Sequence, residues 1–332
     1  MDIELHTPLR GTKQNIWRTF LEKAGLEADN AVQQTVLIWD DDVLIATGSR
    51  QSNLLKCIAV DPAHQGEDLL AKVLTVLRQE AFKDGLRHLF LYTKPSNAHL
   101  FSGLLFYPVA QTADVLLMED QKDGISNFIA NSPSVKQGGT IGAIVMNCDP
   151  FTLGHQHLIE TAASTCDHLY IFVLSEDKGS FSAADRLEMV KRGTSHLINV
   201  TVTTTGPYMI SSATFPTYFL KNRDQAGQIH CLLDVEIFAR YFVPAFSINY
   251  RYVGTEPLSA MTNQYNEILK ATLPGHGVTV IEIPRLCHDN IPVSATHVRR
   301  AWINHDWNTV KKLVPQTTYD YLLTLHQQEV LP

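Results

Sequence analysis

The sequence predicts an α/β protein of two domains, a mixed and largely antiparallel sheet followed by a parallel sheet with helices on both faces. Three observations carry that prediction. At 332 residues the chain is long enough for about two domains. From residue 140 onward, apolar strand-like runs alternate with helix-like segments, the pattern of a covered parallel sheet. Before residue 119 the strand-like runs mostly follow one another directly, with turn residues between them.

In the first region, "VLIWDDDVLIATGSRQSNLLKCIAVDP" reads as three strands. The aspartates at 40–42 form one turn, and "GSRQ" is expected to form a second. "LLAKVLTVLRQEAFKDG" has apolar residues at helical spacing and stops at Gly85. "HLFLYT" is a further buried strand and "NAHLFSGLL" a short helix. A polar, Gly- and Ser-rich stretch follows, with "ISNFIA" as a short helix inside it. The expected division is therefore a domain over 1–120, a linker over 121–139 and a domain over 140–332.

The second region begins with the strand "TIGAIVMN" and the helix "GHQHLIETAAST". "HLYIFVLS" and "SAADRLEMVKRGTSHL" repeat the pattern, the helix opening on a capping box of Ser182 and Asp185. "NVTVTTT" is a strand and "ATFPTYFLKN" a helix; "QIHCLLD" is a strand and "VEIFARYFVPAF" a helix. "NYRYVG", "NQYNEILKATL" and "GVTVIEIP" complete the alternation as strand, helix and strand. In such sheets ligands bind at the carboxyl ends of the strands, where the strand order switches.

Composition excludes several classes. A net charge of −7 lacks the basic footprint of a nucleic-acid binder. No apolar run approaches the ~20 residues needed to cross a bilayer, and "MDIELHTPLRGTKQN" has no signal-peptide core. No nucleic-acid or membrane partner is expected, and the cytoplasm is the expected location. The five cysteines are scattered without a CxxC pair, which reads as reduced, mostly buried thiols.

The chemistry concentrates in "NCDPFTLGH", where the first strand of the second region turns into a helix. There is no GxGxxG and no GxxxxGK[ST]. Gly154 would let backbone approach a ligand closely, and His155 would sit in the first turn of the helix, where free N–H groups and the helix dipole favour an anion. The hydroxyl of Thr152 could donate there as well. The same residues also fit a plain strand–helix turn with a helix-facing histidine. A second cluster, "VSATHVRR" at 293–300, places Ser294 at an N-cap, Thr296 at the second helical position and Arg299 one turn on. It is either a second phosphate cradle or an ordinary capped helix. In "SEDKGSFS", Lys178 reads equally as a phosphate clamp and as a solvated loop lysine.

"CDPFTLGH", "FSAADRLEMV" and "VSATHVRR" together resemble the three ordered signatures of the nucleotidyltransferase superfamily, with Thr152 in the first position of its [HT]xGH motif. "GPYMISSATFPTYFLK", "LDVEIFARYFVPAFSINYRYVGTEP" and "NQYNEIL" narrow the resemblance to the citrate lyase ligase family, and it extends over nearly the whole chain. It implies a Rossmann-like nucleotidyltransferase domain after a GNAT-like domain. It also implies an ATP-dependent reaction, with Mg²⁺, in which acetate acetylates the thiol of a phosphoribosyl-dephospho-coenzyme A group on the acyl carrier subunit of citrate lyase. The implied catalytic residues are His155, Thr152 and Arg299. The implied nucleotide-binding residues are Asn147, Asp149, Pro150, Phe151, Gly154, Lys178, Gly254, Glu256, Ser294 and Thr296. No resident metal ligand is implied, and Cys148 is expected to pack behind the phosphate loop.

The first region departs from the GNAT pattern. Asp68 stands where the pyrophosphate loop "AHQGEDLL" needs a small residue, and Leu105 where a glycine is common. A carboxylate beside a pyrophosphate is unfavourable. Carrier docking is therefore the reading for this domain. Three other functions remain open: an adenylyltransferase acting on a phosphate acceptor such as pantetheine phosphate, a GNAT acetyltransferase with a nucleotide-sensing domain, and a non-catalytic carrier-binding module.

Overall fold

A computed structural model describes residues 1–135, 138–177, 179–209, 215–220, 225–256, 259–288 and 291–330. It divides into two compact units, one of residues Met1–Gly124 with Pro216–Ile229, the other of Ile125–Phe215 with His230–Pro332. The 216–229 segment thus leaves the second half of the chain and packs into the first unit, which the division at 120 and 140 did not anticipate.

The first unit carries a seven-stranded sheet. Its elements are β1 (Asp2–His6), α1 (Thr12–Lys23), β2 (Gln34–Asp40), β3 (Val43–Gln51), β4 (Leu54–Val60), α2 (Leu69–Lys83), β5 (Phe90–Thr93), α3 (Ala98–Ser102), β6 (Tyr107–Gln111) and β7 (Leu116–Glu119). The order is β1-β2-β3-β4-β5-β7-β6, antiparallel except between β4 and β5. That pair meets only at Leu54–Phe90 and Leu55–Leu91 and then separates. Helix α2 buries Leu69, Val73, Leu74, Leu77 and Ala81 along one face and ends before Gly85, whose φ is +78°. "GSRQ" is not a turn: it continues β3, and the chain reverses at Ser52 and Asn53 instead. Gly48 is there for packing, because a Cβ would come 2.4 Å from Val73 Cγ1 and push α2 off the sheet.

The second unit begins at Ile125, within α4 (Gly124–Asn131). Its five-stranded parallel sheet holds β8 (Ile141–Met146), β9 (His168–Val173), β10 (Val200–Thr204), β11 (Tyr250–Gly254) and β12 (Thr279–Ile283), in the order β10-β9-β8-β11-β12. The order reverses between β8 and β11, so the carboxyl end of β8 borders the switch. Helices α5 (Leu153–Ala163) and α6 (Ala183–Thr194) follow β8 and β9. Ile144, Met146, Leu169, Ile171, Val173 and Tyr252 share a core with Ile159 and Met189 of these helices. On the opposite face Tyr170 and Phe172 meet Phe246, and Phe172 also meets Phe242.

Two expectations fail here. "QIHCLLD" is helix: α7 (Ala226–Ile237) runs on through a π-helical turn at Phe238–Phe242 into α8 (Val243–Phe246). Ile229, Cys231, Leu233, Val235, Ile237 and Phe238 are all buried, so the run shows no one-sided stripe that would mark a helix. The helix expected over 213–222 is absent where it is described, at 215–220, which is turn and irregular chain; residues 213, 214, 221 and 222 lie outside the described residues. The chain ends with α9 (Ala260–Thr272), a short pairing of β13 (Cys287–His288) with β14 (Ile291–Pro292), and helices α10 (Ala295–Ile303), α11 (Trp307–Leu313) and α12 (Gln316–Val330).

Candidate active site

The strand–helix turn after β8 is organised around His155. Thr152 is the N-cap of α5, and its hydroxyl accepts the His155 backbone N–H at 3.4 Å. The His155 ring returns the contact, Nδ1 accepting the Thr152 backbone N–H at 3.0 Å. This is a capping box with histidine in the usual Glu/Gln position. With Nδ1 occupied as an acceptor, the neutral ring carries its hydrogen on Nε2. Burial lowers the His155 pKa to about 4, and the positive charge of Arg285 adds to the effect. The ring is therefore a neutral donor at the start of an eleven-residue helix.

The same geometry redefines Thr152. It is only 2 % exposed and its hydroxyl is engaged in the cap, so it orients His155 rather than facing a ligand. Phe151 is wholly buried, stacks on His155 with ring centroids 5.9 Å apart, and presses on Gly193, where a Cβ would come 2.3 Å from it. Pro150 is buried as well. Both support the loop from behind. Cys148 is buried beside them, and burial pushes its thiol far above the ordinary range.

Asp149 is also inward-facing. Its carboxylate accepts the backbone N–H groups of Ser180 and Phe181, each at 3.0 Å, and so ties the loop after β9 to the loop after β8. Gly179 fits against it: a Cβ there would come 2.8 Å from the carboxylate. Arg186, on α6 and fully buried, completes the tie. It donates to the Asn147 carbonyl at 2.9 Å and to Asn147 Oδ1 at 2.6 Å, and also to the carbonyls of Glu176 and Phe181. Asn147 is thus held from one side while remaining exposed. Ser182 caps α6 through the Asp185 N–H, and Asp185 takes the Ser182 hydroxyl rather than closing a backbone capping box. Lys178 lies outside the described residues.

The second cluster comes to the same place. Ser294 holds the N-cap position of α10 but makes no side-chain cap bond. A Cβ on Gly154 would sit 3.5 Å from the Val293 carbonyl, so the starts of α5 and α10 are adjacent. Arg299 joins them, with Nη1 donating to the Asp149 carbonyl and Nη2 to Thr296 Oγ1 at 2.9 Å. At the far side of the switch, Gly254 ends β11 with open space where a Cβ would be. Glu256 accepts from Arg285 Nη1 at 2.6 Å. Two helix starts, a neutral imidazole donor and two guanidinium groups suit a polyphosphate. Among the described residues no cluster of three acidic, histidine or cysteine groups could hold a metal ion.

Sequence reasoning did not single out Arg186 and Arg285. Arg186 had a signal, a charged residue on the side of α6 that also carries the buried Met189 and Val190. Arg285 had none, because its partner Glu256 lies 29 residues away on a different strand end.

Residues 141–322 match the family described as the citrate lyase ligase C-terminal domain. A [citrate [pro-3S]-lyase] ligase of Klebsiella pneumoniae is 40% identical over 316 residues, covering 93% of this chain and 92% of its own. One from Escherichia coli K12 is 34% identical over 313 residues, covering 92% and 89%. A solved acyl-CoA N-acyltransferase from Pseudomonas aeruginosa is similar over 36% of this chain and 100% of its own, at 11% identity and a TM-score of 0.32. No helix among the described residues is long and apolar enough to cross a membrane.

Proposed function

This chain belongs to the citrate lyase ligase family, and from that premise we propose that it uses ATP and acetate to acetylate the thiol group carried by the acyl carrier subunit of citrate lyase. The observation that carries the reading is the joining of two helix starts by Arg299, with the neutral His155 donor beside them.

Acetate has no good leaving group, so the carboxyl must first be activated. One acetate oxygen attacks the α-phosphorus of ATP, the bond to the bridging oxygen breaks, and pyrophosphate departs with the electron pair. Acetyl-adenylate remains. The carrier thiol then attacks the acetyl carbon, the C–O bond to AMP breaks, and the thiol proton passes to solvent. The chain supplies position and charge stabilisation rather than covalent chemistry. His155 Nε2–H and the free N–H groups of α5 face the phosphates, and Thr152 holds the ring in place. Arg299, Thr296 and the uncapped Ser294 hydroxyl receive the departing pyrophosphate. Gly154 permits close approach, while Gly254 and Glu256 border the nucleoside. Mg²⁺ would arrive on the phosphates and offset their charge. The reading needs no cysteine of the chain as nucleophile, and burial raises the thiol of Cys148 away from its reactive form.

The first unit offers a separate cavity of about 250 Å³ where β4 and β5 part, lined by Ile58, Val60, Tyr92, Lys94, Tyr218 and Phe219. Asp68 occupies the N-cap of α2, where its charge opposes a pyrophosphate. We assign this unit to docking of the carrier or its prosthetic arm, not to acetyl-CoA chemistry.

The deciding assay is acetate-dependent ATP–pyrophosphate exchange, followed by AMP release when the deacetylated carrier subunit is added. Exchange that needs pantetheine phosphate instead of acetate, or acetyl transfer from acetyl-CoA without ATP, would reject the reading.

A further inference from the structure

Among the described residues, the sheet of the second unit buries a cation, Arg251, that the phosphate site does not use. Arg251, on β11, is 2 % exposed, and among the described residues its Nε and Nη1 have no hydrogen-bond partner. Its guanidinium lies over the Phe238 ring, 4.9 Å from the centroid. Buried N–H donors without acceptors are costly, because they give up water without a replacement. Such groups call for an acceptor from outside the fold, a water, an ion or a ligand, or for a catalytic role.

The surroundings leave that role open. Asp234, on α7, is the nearby carboxyl, but it is engaged elsewhere, accepting the Tyr265 hydroxyl at 2.5 Å. Asp234 and Tyr265 both act on the guanidinium, Tyr265 through its side chain, but no described ion pair joins Asp234 to Arg251. Burial raises the Asp234 carboxyl, which moves it toward its neutral form and weakens it as a counter-charge. His230 lies one helical turn before Asp234 and also acts on it. Glu176 is close enough to influence Asp234 as well, and its carbonyl is held by Arg186 together with Asn147. The charge of Glu176, on the loop after β9, thus reaches the Arg251 cluster.

We propose that Arg251 is the receptor for the carboxylate of the acid substrate, a small aliphatic monocarboxylate such as acetate. The inference rests on the ligase reading above. Either forked edge of the guanidinium, Nε with Nη2 or Nη1 with Nη2, offers a carboxylate one of the two unpartnered nitrogens. The Phe238 ring covers one face and keeps water from the pair.

The test uses the full-length chain and its Arg251→Gln and Arg251→Lys variants. Apparent KM values for acetate and for ATP are measured in the exchange assay, and acetate binding is measured by isothermal titration calorimetry with ATP absent and present. The Gln variant is expected to raise the acetate KM by at least about tenfold while the ATP KM stays within about twofold, a split that a structural role would not produce. The Lys variant keeps the charge and is expected to fold where Gln does not, with a smaller rise in the acetate KM. An unchanged acetate KM in a folded variant, or equal rises for both substrates, would overturn the proposal. If the wild-type chain shows no acetate-dependent exchange, the ligase reading fails by itself. Titration with acetate then decides the site alone: binding lost in the variants supports it, and wild-type binding that survives them, or no binding at all, rejects it.

Discussion

Arg299 donates from Nη1 to the backbone carbonyl of Asp149, 150 residues earlier in the chain, while its Nη2 holds Thr296 on its own helix. One planar group thereby sets the spacing between two helix starts that no described backbone hydrogen bond links directly. Lysine carries the charge but has a single nitrogen and cannot make both contacts at fixed geometry. Arg299→Lys should therefore raise the KM for ATP about tenfold or more and leave the acetate KM little changed. Steady-state exchange kinetics at varied ATP check this, and an unchanged ATP KM would separate Arg299 from the phosphates.

His155 can be tested without losing the helix start. Glutamine is a natural partner in a capping box and can accept the Thr152 backbone N–H as Nδ1 does now. His155→Gln should keep its melting temperature near that of the wild type yet lower exchange at least ~10²-fold, the scale of losing one donor to developing charge. His155→Ala should show the same kinetic loss with a lower melting temperature, because the cap goes too.

The split between those two variants reflects what the sequence made legible. The strand-to-helix turn and its Gly-His pair stand out from spacing alone, and so do Ser294, Thr296 and Arg299 at the later helix start. The inward roles of Asp149 and Thr152 do not, because a carboxylate or hydroxyl reads alike whether it meets a ligand or a backbone N–H. Arg186 and Arg285 depend on partners brought together by the sheet, which local pattern does not encode. The misread "QIHCLLD" has a related cause: a helix buried on most sides loses the one-sided stripe that distinguishes it from a strand. "GSRQ" failed because Gly48 serves close packing with Val73 rather than a turn.

Arg186 should matter to stability before it matters to catalysis. It is fully buried and serves the carbonyls of Asn147, Glu176 and Phe181. Arg186→Met keeps much of the volume and leaves those acceptors unanswered, at a cost on the order of 3 kcal/mol. Denaturant unfolding should show a lower midpoint with an unchanged slope. A variant as stable as the wild type would mean that water replaces the guanidinium at little cost.

His155 also predicts a pH dependence of stability. Its folded pKa is lowered to about 4 from an ordinary value of 6.5. Between those values the unfolded chain binds more protons than the folded one, so stability falls as pH drops through that window. In His155→Gln this contribution is absent. The difference in unfolding free energy between variant and wild type should therefore shift in favour of the variant as pH falls from about 6.5 toward 4 and stay level above that range. Parallel urea titrations at several pH values measure it.

Thiol labelling tests whether any cysteine takes part in the chemistry. Cys57, Cys148, Cys166 and Cys231 are buried, and Cys287 is exposed. Burial raises the thiols of all four buried residues, so at neutral pH almost none of each is the reactive thiolate. A native chain treated briefly with a small alkylating reagent should gain a single label, located by peptide mass at Cys287. Cys287 is two residues from Arg285, so a bulky label there could disturb the Arg285–Glu256 pair without touching a nucleophile. The control is Cys287→Ser, which should retain exchange activity and take up no label on the same timescale. Rapid labelling of Cys148 in that variant, accompanied by loss of exchange, would show that the phosphate loop opens far more readily than its buried arginine and carboxylate ties imply.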